Sequence, residues 1–158
     1  MDIQMSDTGQ AFRNGVQELI AFRTGTQEFC VNVRSVREIR GWTPATSLPH
    51  APGFVLGVIN LRGIVLPIID LATRLGFSPT EPTARHAIIV VECGRQAAGL
   101  LVEGVSDIFT VDEAQIQPTP DVASEAAKLF IRGVIATEGR LISIVDIDNI
   151  LPAIELAA

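Results

Sequence analysis

The sequence predicts an all-β protein made of two homologous modules that share one hydrophobic core. Short runs rich in valine and isoleucine alternate with glycine-containing turns, a pattern typical of a β-barrel or β-sandwich. The two halves of the chain also resemble each other along most of their length. Each half has only about 70 residues, a size that buries too little apolar surface to be stable alone. We therefore expect the two modules to pack face to face.

The internal duplication is the observation on which this prediction depends. Residues 17–39 align with 86–108 at an offset of 69, and residues 54–71 align with 130–147 at an offset of 76. The larger offset places an insertion in the connector of the second module, within 110–129, where we expect a loop. The identical pairs include Gly25/Gly94, Val36/Val105, Ile39/Ile108, Phe54/Phe130, Gly57/Gly133 and Asp70/Asp146.

The order of elements along the chain follows from this duplication. We expect a flexible tail at 1–16, a single domain at 17–151 and a second tail at 152–158. Within the domain the modules lie near 17–77 and 86–147. The sequence leaves open whether terminal segments are exchanged between the two modules. The segment 78–85, with two prolines, two threonines and a serine, is the expected linker.

Strands are expected wherever Val- and Ile-rich runs lie between turn residues, with glycine available for positive φ in the hairpins. Short helices are expected at 33–39, 71–76 and 146–151; in the first, Val33, Val36 and Ile39 share one helical face. The expected strands are 18–24, 28–33, 55–61, 64–70, 86–93, 97–102, 130–136 and 140–146.

Composition excludes several classes of partner. The 158-residue chain is 47% hydrophobic and 19% charged, with a formal net charge of −6. A negative chain argues against nucleic acid and against anionic membrane surfaces. No apolar segment predicts a signal peptide or a membrane-spanning helix. We expect a cytoplasmic protein with no direct membrane insertion.

The side chains that could carry catalysis or bind metal are few. His50 lies in a proline-flanked loop and His86 opens a strand, and neither has a second ligand at metal-binding spacing. Cys30 and Cys93 lie in apolar runs without CxxC spacing and are expected to be buried free thiols. The sequence therefore predicts no metal, no cofactor and no catalysis, although a ligand in the inter-module cleft near His86 or Asp70 stays open.

Two aspartates occupy equivalent positions in the duplication and could suggest a catalytic carboxylate pair. Asp70 and Asp146 each end an apolar strand and precede a short helical segment. A carboxylate at that position can accept hydrogen bonds from the free N–H groups of the helix. We therefore expect helix capping rather than acid–base chemistry.

The segment 57–71 reads Gly-Val-Ile-Asn-Leu-Arg-Gly-Ile-Val-Leu-Pro-Ile-Ile-Asp-Leu. It closely resembles the signature of the CheW family, G-x-x-x-x-R-G-x-x-x-P-[IV]-[IV]-[DN]-L. Residues 33–39, Val-Arg-Ser-Val-Arg-Glu-Ile, are similar to the family's V-x-x-V-x-E-I element, and 131–135 are similar to its second glycine-containing strand. The resemblance extends over about 18–151, nearly the whole chain.

This resemblance implies two SH3-like five-stranded barrels with a hydrophobic core between them and a few short helices. It implies an adaptor that links the signalling tips of methyl-accepting chemoreceptors to the regulatory domain of the histidine kinase CheA. Such a protein is recruited from the cytoplasm to membrane-anchored receptor arrays. A related pathway with pili or another output, or a small ligand-binding β-barrel, are the alternatives.

The resemblance also implies a receptor-binding groove between the modules, with an ion pair between Glu38 and Arg62. The second module has Asp107 and Glu138 at the equivalent positions, so we expect no pair there. The alternatives are that the valines belong to the core and that the charges are unrelated. No motif assigns the kinase contacts; the candidate receptor-binding residues are Val36, Glu38, Gly57, Val58, Arg62, Gly63, Val105 and Ile108.

Overall fold

The computed structural model describes residues 15–120 and 125–151, without the side chains of Ala126 and Ala127. The predicted tails, 1–16 and 152–158, lie outside the described residues except for Gly15 and Val16. The fold class is confirmed, because the described chain forms two β-sheets of six and five strands with short helices. No helix among the described residues is long and apolar enough to cross a membrane.

The described elements follow one another as hairpins and single strands joined by short helical turns. Two 3-10 turns, Val33–Ser35 and Glu113–Gln115, precede β3 and β9. The α-helices are α1 (Leu71–Arg74), α2 (Glu125–Phe130) and α3 (Ile147–Ile150). The strands are β1 (Val16–Thr24), β2 (Gln27–Asn32), β3 (Val36–Gly41), β4 (Val55–Leu61), β5 (Ile64–Asp70), β6 (Ala87–Cys93), β7 (Gln96–Val102), β8 (Gly104–Asp112), β9 (Ile116–Gln117), β10 (Ile131–Thr137) and β11 (Arg140–Val145).

Each sheet combines strands from both repeats. The six-stranded sheet has the order β9-β10-β11-β2-β1-β8, and the five-stranded sheet has the order β3-β6-β7-β5-β4. The first hairpin of each repeat, β1–β2 or β6–β7, is therefore inserted into the sheet formed by the rest of the other repeat. The joins are parallel pairs, with Ile144 opposite Cys30 in one sheet and Ile68 opposite Gly99 in the other.

The outermost strand β9 also has a counterpart in the first repeat. Gln117 of β9 pairs with Val134, and Thr46 forms an isolated bridge with Val58, the residue equivalent to Val134. The five-stranded sheet thus has a single bridge where the six-stranded sheet has a two-residue strand. The predicted count of five strands per barrel differs from the observed sheets only by this short element.

Three clusters of buried side chains explain why the strands are apolar on both faces. One cluster fills the inside of the barrel formed by the five-stranded sheet and includes Ile88 and Val90. Another fills the inside of the barrel formed by the six-stranded sheet. The third and largest cluster lies between the sheets and contains Ile89 and Val91. Because successive side chains of a strand point to opposite faces, β6 contributes alternate residues to two cores.

Two edge strands correct the prediction of a helix over 33–39 and of a loop after residue 110. The helical turn ends at Ser35, and β3 then pairs with β6 through Ile39 and Ile89. Exposure alternates along β3 with a period of two, because only one side of this edge strand faces the interior. The predicted loop 110–129 contains the end of β8, β9 and most of α2.

The two strand-ending aspartates do not cap the helices as predicted. Asp70 stands at the N-cap position of α1 without a side-chain capping bond. Its carboxylate accepts instead from Thr73 Oγ1 at 2.7 Å and from both the backbone N and Oγ1 of Thr80 at 2.8 Å. Asp146 likewise lacks a capping bond, and Asn149 Nδ2 donates to it at 3.3 Å. Asp70 therefore fastens the linker to the start of α1.

The exchange of hairpins predicts that neither half of the chain folds alone. Expressed separately, fragments 1–81 and 82–158 should each lack the native circular dichroism spectrum. The reason is that the parallel strand pair in each sheet joins the two halves of the chain and is lost when they are separated. Mixing the fragments should restore a cooperative unfolding transition. Cooperative unfolding of either fragment by itself would contradict this expectation. The division into modules 17–77 and 86–147 within one domain stays a prediction, and this split chain tests it.

The contacts of Asp70 predict a larger effect on stability than those of its counterpart. Asp70 is only 1% exposed, so Asp70→Ala leaves the threonine donors without their acceptor and should lower the free energy of unfolding by about 2 kcal/mol. Asp146→Ala is the matched control and should cost less, because Asp146 accepts a single longer hydrogen bond. Urea denaturation measures both, and equal losses would contradict the assignment.

Candidate functional site

Most of the predicted site residues come together in the five-stranded sheet. Its two outermost strands are β3 and β4, and the β4–β5 turn carries the arginine of the signature. An ion pair between the side chains of Glu38 and Arg62 connects β3 to this turn. The predicted residues in this sheet are Val36, Glu38, Gly57, Val58, Arg62 and Gly63.

The turn that holds Arg62 has an unusual backbone conformation. Arg62 and Gly63 have φ values of 53° and 86°, as in the two-residue type I′ turns that suit the twist of a β-hairpin. The turn is closed by a 2.8 Å hydrogen bond from the backbone N of Gly63 to Asn60 Oδ1. Glycine and asparagine are the residues that prefer a positive φ. The turn geometry does not account for an arginine at this position.

Two arginines bind the carboxylate of Glu38. Arg62 Nη2 donates to Oε1 at 2.5 Å, and Arg40 Nη1 donates to Oε2 at 3.3 Å. The hydrogen bond from Arg62 is the main reason that the pKa of Glu38 lies below its ordinary value. Each carboxylate oxygen therefore has its own charged donor, which fixes the orientation of the side chain.

Apolar side chains follow directly after the turn. Ile64 and Val65 at the start of β5 are 63% and 64% exposed. We call Glu38, Arg40, Arg62, Ile64 and Val65 the Glu38 surface. Large exposed apolar residues beside an ordered charge pair are typical of surfaces that bind other proteins.

The other predicted residues of this sheet have mainly structural surroundings. Val36 is half-buried and packs against the core between the sheets, which is the alternative left open for the valines. Gly57 is buried with a φ of 149°, and a Cβ built on it would lie 2.3 Å from the Thr46 carbonyl oxygen. The signature glycine therefore permits the close approach that forms the Thr46–Val58 bridge.

Val105 and Ile108 lie in the other sheet, on its edge strand β8. They are the repeat counterparts of Val36 and Ile39 and occupy the equivalent place on the second module. Ile108 is 61% exposed. The structure thus assigns six of the eight predicted residues to one sheet and the remaining two to the other.

No ion pair joins Asp107 and Glu138, the positions equivalent to Glu38 and Arg62, but Asp107 does form an ion pair with another residue of the second module. Arg140 Nη2 donates to Asp107 Oδ1 at 3.1 Å and to Glu28 Oε2 at 2.6 Å. Asp107 is equivalent to Glu38, but its partner comes two residues after Glu138, so a comparison of strictly equivalent positions missed it. The hydrogen bond from Arg140 is the main reason that the pKa of Glu28 is lowered.

This second cluster also lies beside exposed apolar residues. Leu141, the counterpart of Val65, directly follows Arg140 and is 66% exposed. We call Glu28, Asp107, Ile108, Arg140 and Leu141 the Asp107 surface. Each module therefore carries a charged cluster next to an exposed apolar residue.

The two thiols and His86 have structural surroundings. Cys30 and Cys93 are both free, and burial raises the pKa of Cys30 to about 12. Cys93 is only half-buried; its Sγ donates to Asp148 Oδ1 at 2.6 Å, which raises its pKa. His86 Nδ1 accepts from the backbone N of Thr83 at 3.1 Å. Among residues 15–120 and 125–151, no three His, Cys, Asp or Glu side chains are grouped to hold a metal ion.

A cavity of about 180 Å³ lies beside Cys93. Its walls include Gln17, Asn32, Arg132 and Asp148, but neither His86 nor Asp70. The carboxylate of Asp70 is already occupied by Thr73 and Thr80. The two residues proposed for a ligand cleft therefore do not line this cavity.

The fold and the site together define a class: duplicated β-barrel proteins with hairpins exchanged between the repeats and with charged clusters beside exposed apolar residues. Comparison with known families is more specific. The chain belongs to the CheW-like domain family, a family of chemotaxis scaffold proteins, and the family model matches residues 18–155.

Individual relatives agree with this assignment. The chain is 57% identical to the chemotaxis protein CheW of Rhizobium meliloti, over 98% of this chain and 99% of that one. It is 34% identical to the chemotaxis protein CheW of Klebsiella aerogenes, over 89% and 85% of the two chains. The crystal structure of the scaffolding protein TtCheW from Thermoanaerobacter tengcongensis is similar with a TM-score of 0.76 and 30% identity, covering 82% of this chain and 88% of that one.

The contact between Arg62 and Glu38 predicts a change in titration. In Arg62→Asn the turn keeps a residue that accepts a positive φ, but Glu38 loses its main donor. Its pKa should therefore rise toward the ordinary value, because the charged form loses its main stabilising donor and keeps only Arg40. In the unmodified protein the ion pair persists above the lowered pKa and is lost as the pH falls through it. Carboxyl ¹³C NMR measures both titrations.

A matched control is available in the second repeat. Glu138 occupies the same position of the equivalent turn, with a φ of 50°. Glu138→Asn should leave the titration of Glu38 unchanged. An equal shift in both variants would mean that Arg62 does not determine this pKa.

Proposed function

We propose that this protein is an adaptor that couples methyl-accepting chemoreceptors to the histidine kinase CheA without catalysing a reaction. The observation that carries the proposal is the ordered Glu38–Arg62 pair beside the exposed Ile64 and Val65. Membership of the CheW-like domain family supports the same role. The net charge of −6 favours protein partners over nucleic acid.

The Glu38 surface has features that suit a helical receptor tip. Exposed Ile64 and Val65 can bury apolar area against one face of a helix, as in helix-in-groove recognition. Surface ion pairs add little to the stability of a fold. The charges of Glu38 and Arg62 are therefore better suited to orienting a partner than to holding the sheet together. Val36 and Val58, both half-buried, lie on the same two edge strands, β3 and β4.

The kinase contact is proposed for the regulatory domain of CheA, on a surface separate from the one that receives the receptor. An adaptor must bind both partners at once, so its two contacts cannot coincide. The Asp107 surface provides a second exposed area on the other sheet. This proposal assigns Ile108, which the sequence predicted for the receptor contact, to the kinase contact instead. The protein would act in the cytoplasm, recruited to membrane-anchored receptor arrays.

Reconstituted arrays of receptor, CheA and this protein test the proposal. Arg62→Asn and Glu38→Gln should each lower receptor-stimulated kinase activity by roughly tenfold, because either change removes the ion pair that orders this surface. Glu38→Gln leaves two arginines without a carboxylate, and Arg62→Asn leaves Glu38 with Arg40 alone. The double variant should be no worse than either single one, since the residues act as a pair. Circular dichroism and thermal unfolding should stay close to those of the unmodified protein.

Glu138→Asn provides the matched control, because it makes the same substitution at the equivalent turn on the other module. It should retain full kinase stimulation. Unchanged stimulation in both Arg62→Asn and Glu38→Gln would remove the ion pair from the receptor contact. No stimulation by the unmodified protein, together with no binding to either partner, would contradict the adaptor role itself.

A further inference from the structure

Arg74, at the C-terminal end of α1, lies between two phenylalanines from different repeats. Its Cζ is 4.1 Å from the ring centroid of Phe54 and 4.5 Å from that of Phe130. These distances are within the range of cation–π contacts with both rings. Phe54 and Phe130 are equivalent residues of the duplication, so one guanidinium contacts the same position of both repeats.

The same guanidinium also binds the end of α3 in the second repeat. Its Nη2 donates to the backbone O of Asn149 at 3.0 Å and its Nε donates to that of Ile150 at 3.3 Å. Asn149 in turn donates from Nδ2 to the backbone O of Leu129, in α2, at 2.9 Å. Arg74 thus connects α1 of the first repeat to both helices of the second.

The duplication explains why this contact occurs once. The position equivalent to Arg74 in the second repeat is Ile150, which is fully buried in the core between the sheets. The carbonyl that accepts from Arg74 belongs to this counterpart. Two equivalent residues contact each other only near the approximate two-fold axis that relates the repeats. At that place there is room for one large charged side chain.

The contacts of Arg74 differ in kind from those of the surrounding core. Apolar packing holds the sheets together but is not directional. A guanidinium is planar and has donors in fixed directions, so rings on its faces and carbonyls at its edge restrict how the two repeats can rotate. Burial lowers the pKa of Arg74, but arginine keeps its charge at any ordinary pH.

We propose that Arg74 is a positioning residue that sets the angle between the two sheets, and thereby the spacing of the Glu38 and Asp107 surfaces. The functional part rests on the adaptor role proposed above, because the spacing matters only if both surfaces bind partners. The structural part stands independently of that role. Arg74 contacts no partner in this proposal and acts through the elements that it connects.

A distance measurement tests the structural part directly. Spin labels are attached at Val65→Cys and Leu141→Cys, which are exposed and equivalent positions of the two sheets, in a Cys93→Ser background. Pulsed electron paramagnetic resonance then gives the distribution of distances between them. Arg74→Met, which keeps an apolar side chain between the rings but removes the donors, should broaden and shift this distribution.

Two further variants control the measurement. Arg85→Met makes the same change at an exposed linker position and should leave the distribution unchanged. Arg74→Lys keeps the charge but loses the planar donors, and should give an intermediate distribution; it decides the matter if Arg74→Met fails to fold. A distribution identical to that of the unmodified protein in every folded Arg74 variant would overturn the proposal.

Kinase stimulation in reconstituted arrays tests the functional part. The unlabelled Arg74→Met protein should give a lower plateau of stimulation at saturating concentration, whereas a merely destabilised protein would reach the normal plateau once enough folded protein is present. Altered distances with a normal plateau would overturn the functional part alone. If Arg62→Asn and Glu38→Gln retain stimulation while Arg74→Met alters the distances, the assigned receptor contact fails and the positioning role stands.

Discussion

The parallel pairing of β2 with β11 and of β7 with β5 is the interaction on which the rest of the structure depends. In each sheet it joins an inserted hairpin to the other repeat, so neither sheet is complete without strands from both halves. The inserted hairpin also covers the core between the sheets with its second face. This explains why runs such as 88–91 are apolar at every position, although an antiparallel hairpin in a single sheet would alternate.

The sequence predicted strands made of continuous apolar residues much better than strands in which exposed and half-buried residues alternate. Val55–Leu61 and Ile64–Asp70 have the predicted bounds, because continuous apolar residues between turns leave little choice. In β3 only alternate residues face inward, and Val33, Val36 and Ile39 also match the spacing of a helical face. Pairing with β6 makes this segment a strand rather than a helix. Because β6 is far along the chain, the local sequence pattern does not indicate this pairing.

The sequence predicted only those parts of the candidate site that are marked by a short motif or by strictly equivalent positions of the two repeats. Glu38 and Arg62 stand in motifs whose order and spacing match a family, and their contact is present. The pairing of Asp107 was missed because its arginine partner is not at the turn position but at residue 140, from which its long side chain reaches the Asp107 carboxylate. Arg74 was missed for a different reason: its importance comes from the approximate two-fold axis, which exists only in the folded chain.

The two modules are alike in fold but opposite in local charge. Arg40 and Arg62 surround one carboxylate in the first module, whereas Glu28 and Asp107 surround one guanidinium in the second. These residues alone give the first cluster one net positive charge and the second one net negative charge, and Arg23, which lies opposite Glu28, adds a positive charge beside the second. Both clusters lie beside exposed apolar residues. Partners distinguish surfaces of similar shape by their charge, because like charges brought together are unfavourable. A duplicated scaffold of this kind presents two surfaces with different charged side chains, which suits the proposed role as an adaptor between two unlike proteins.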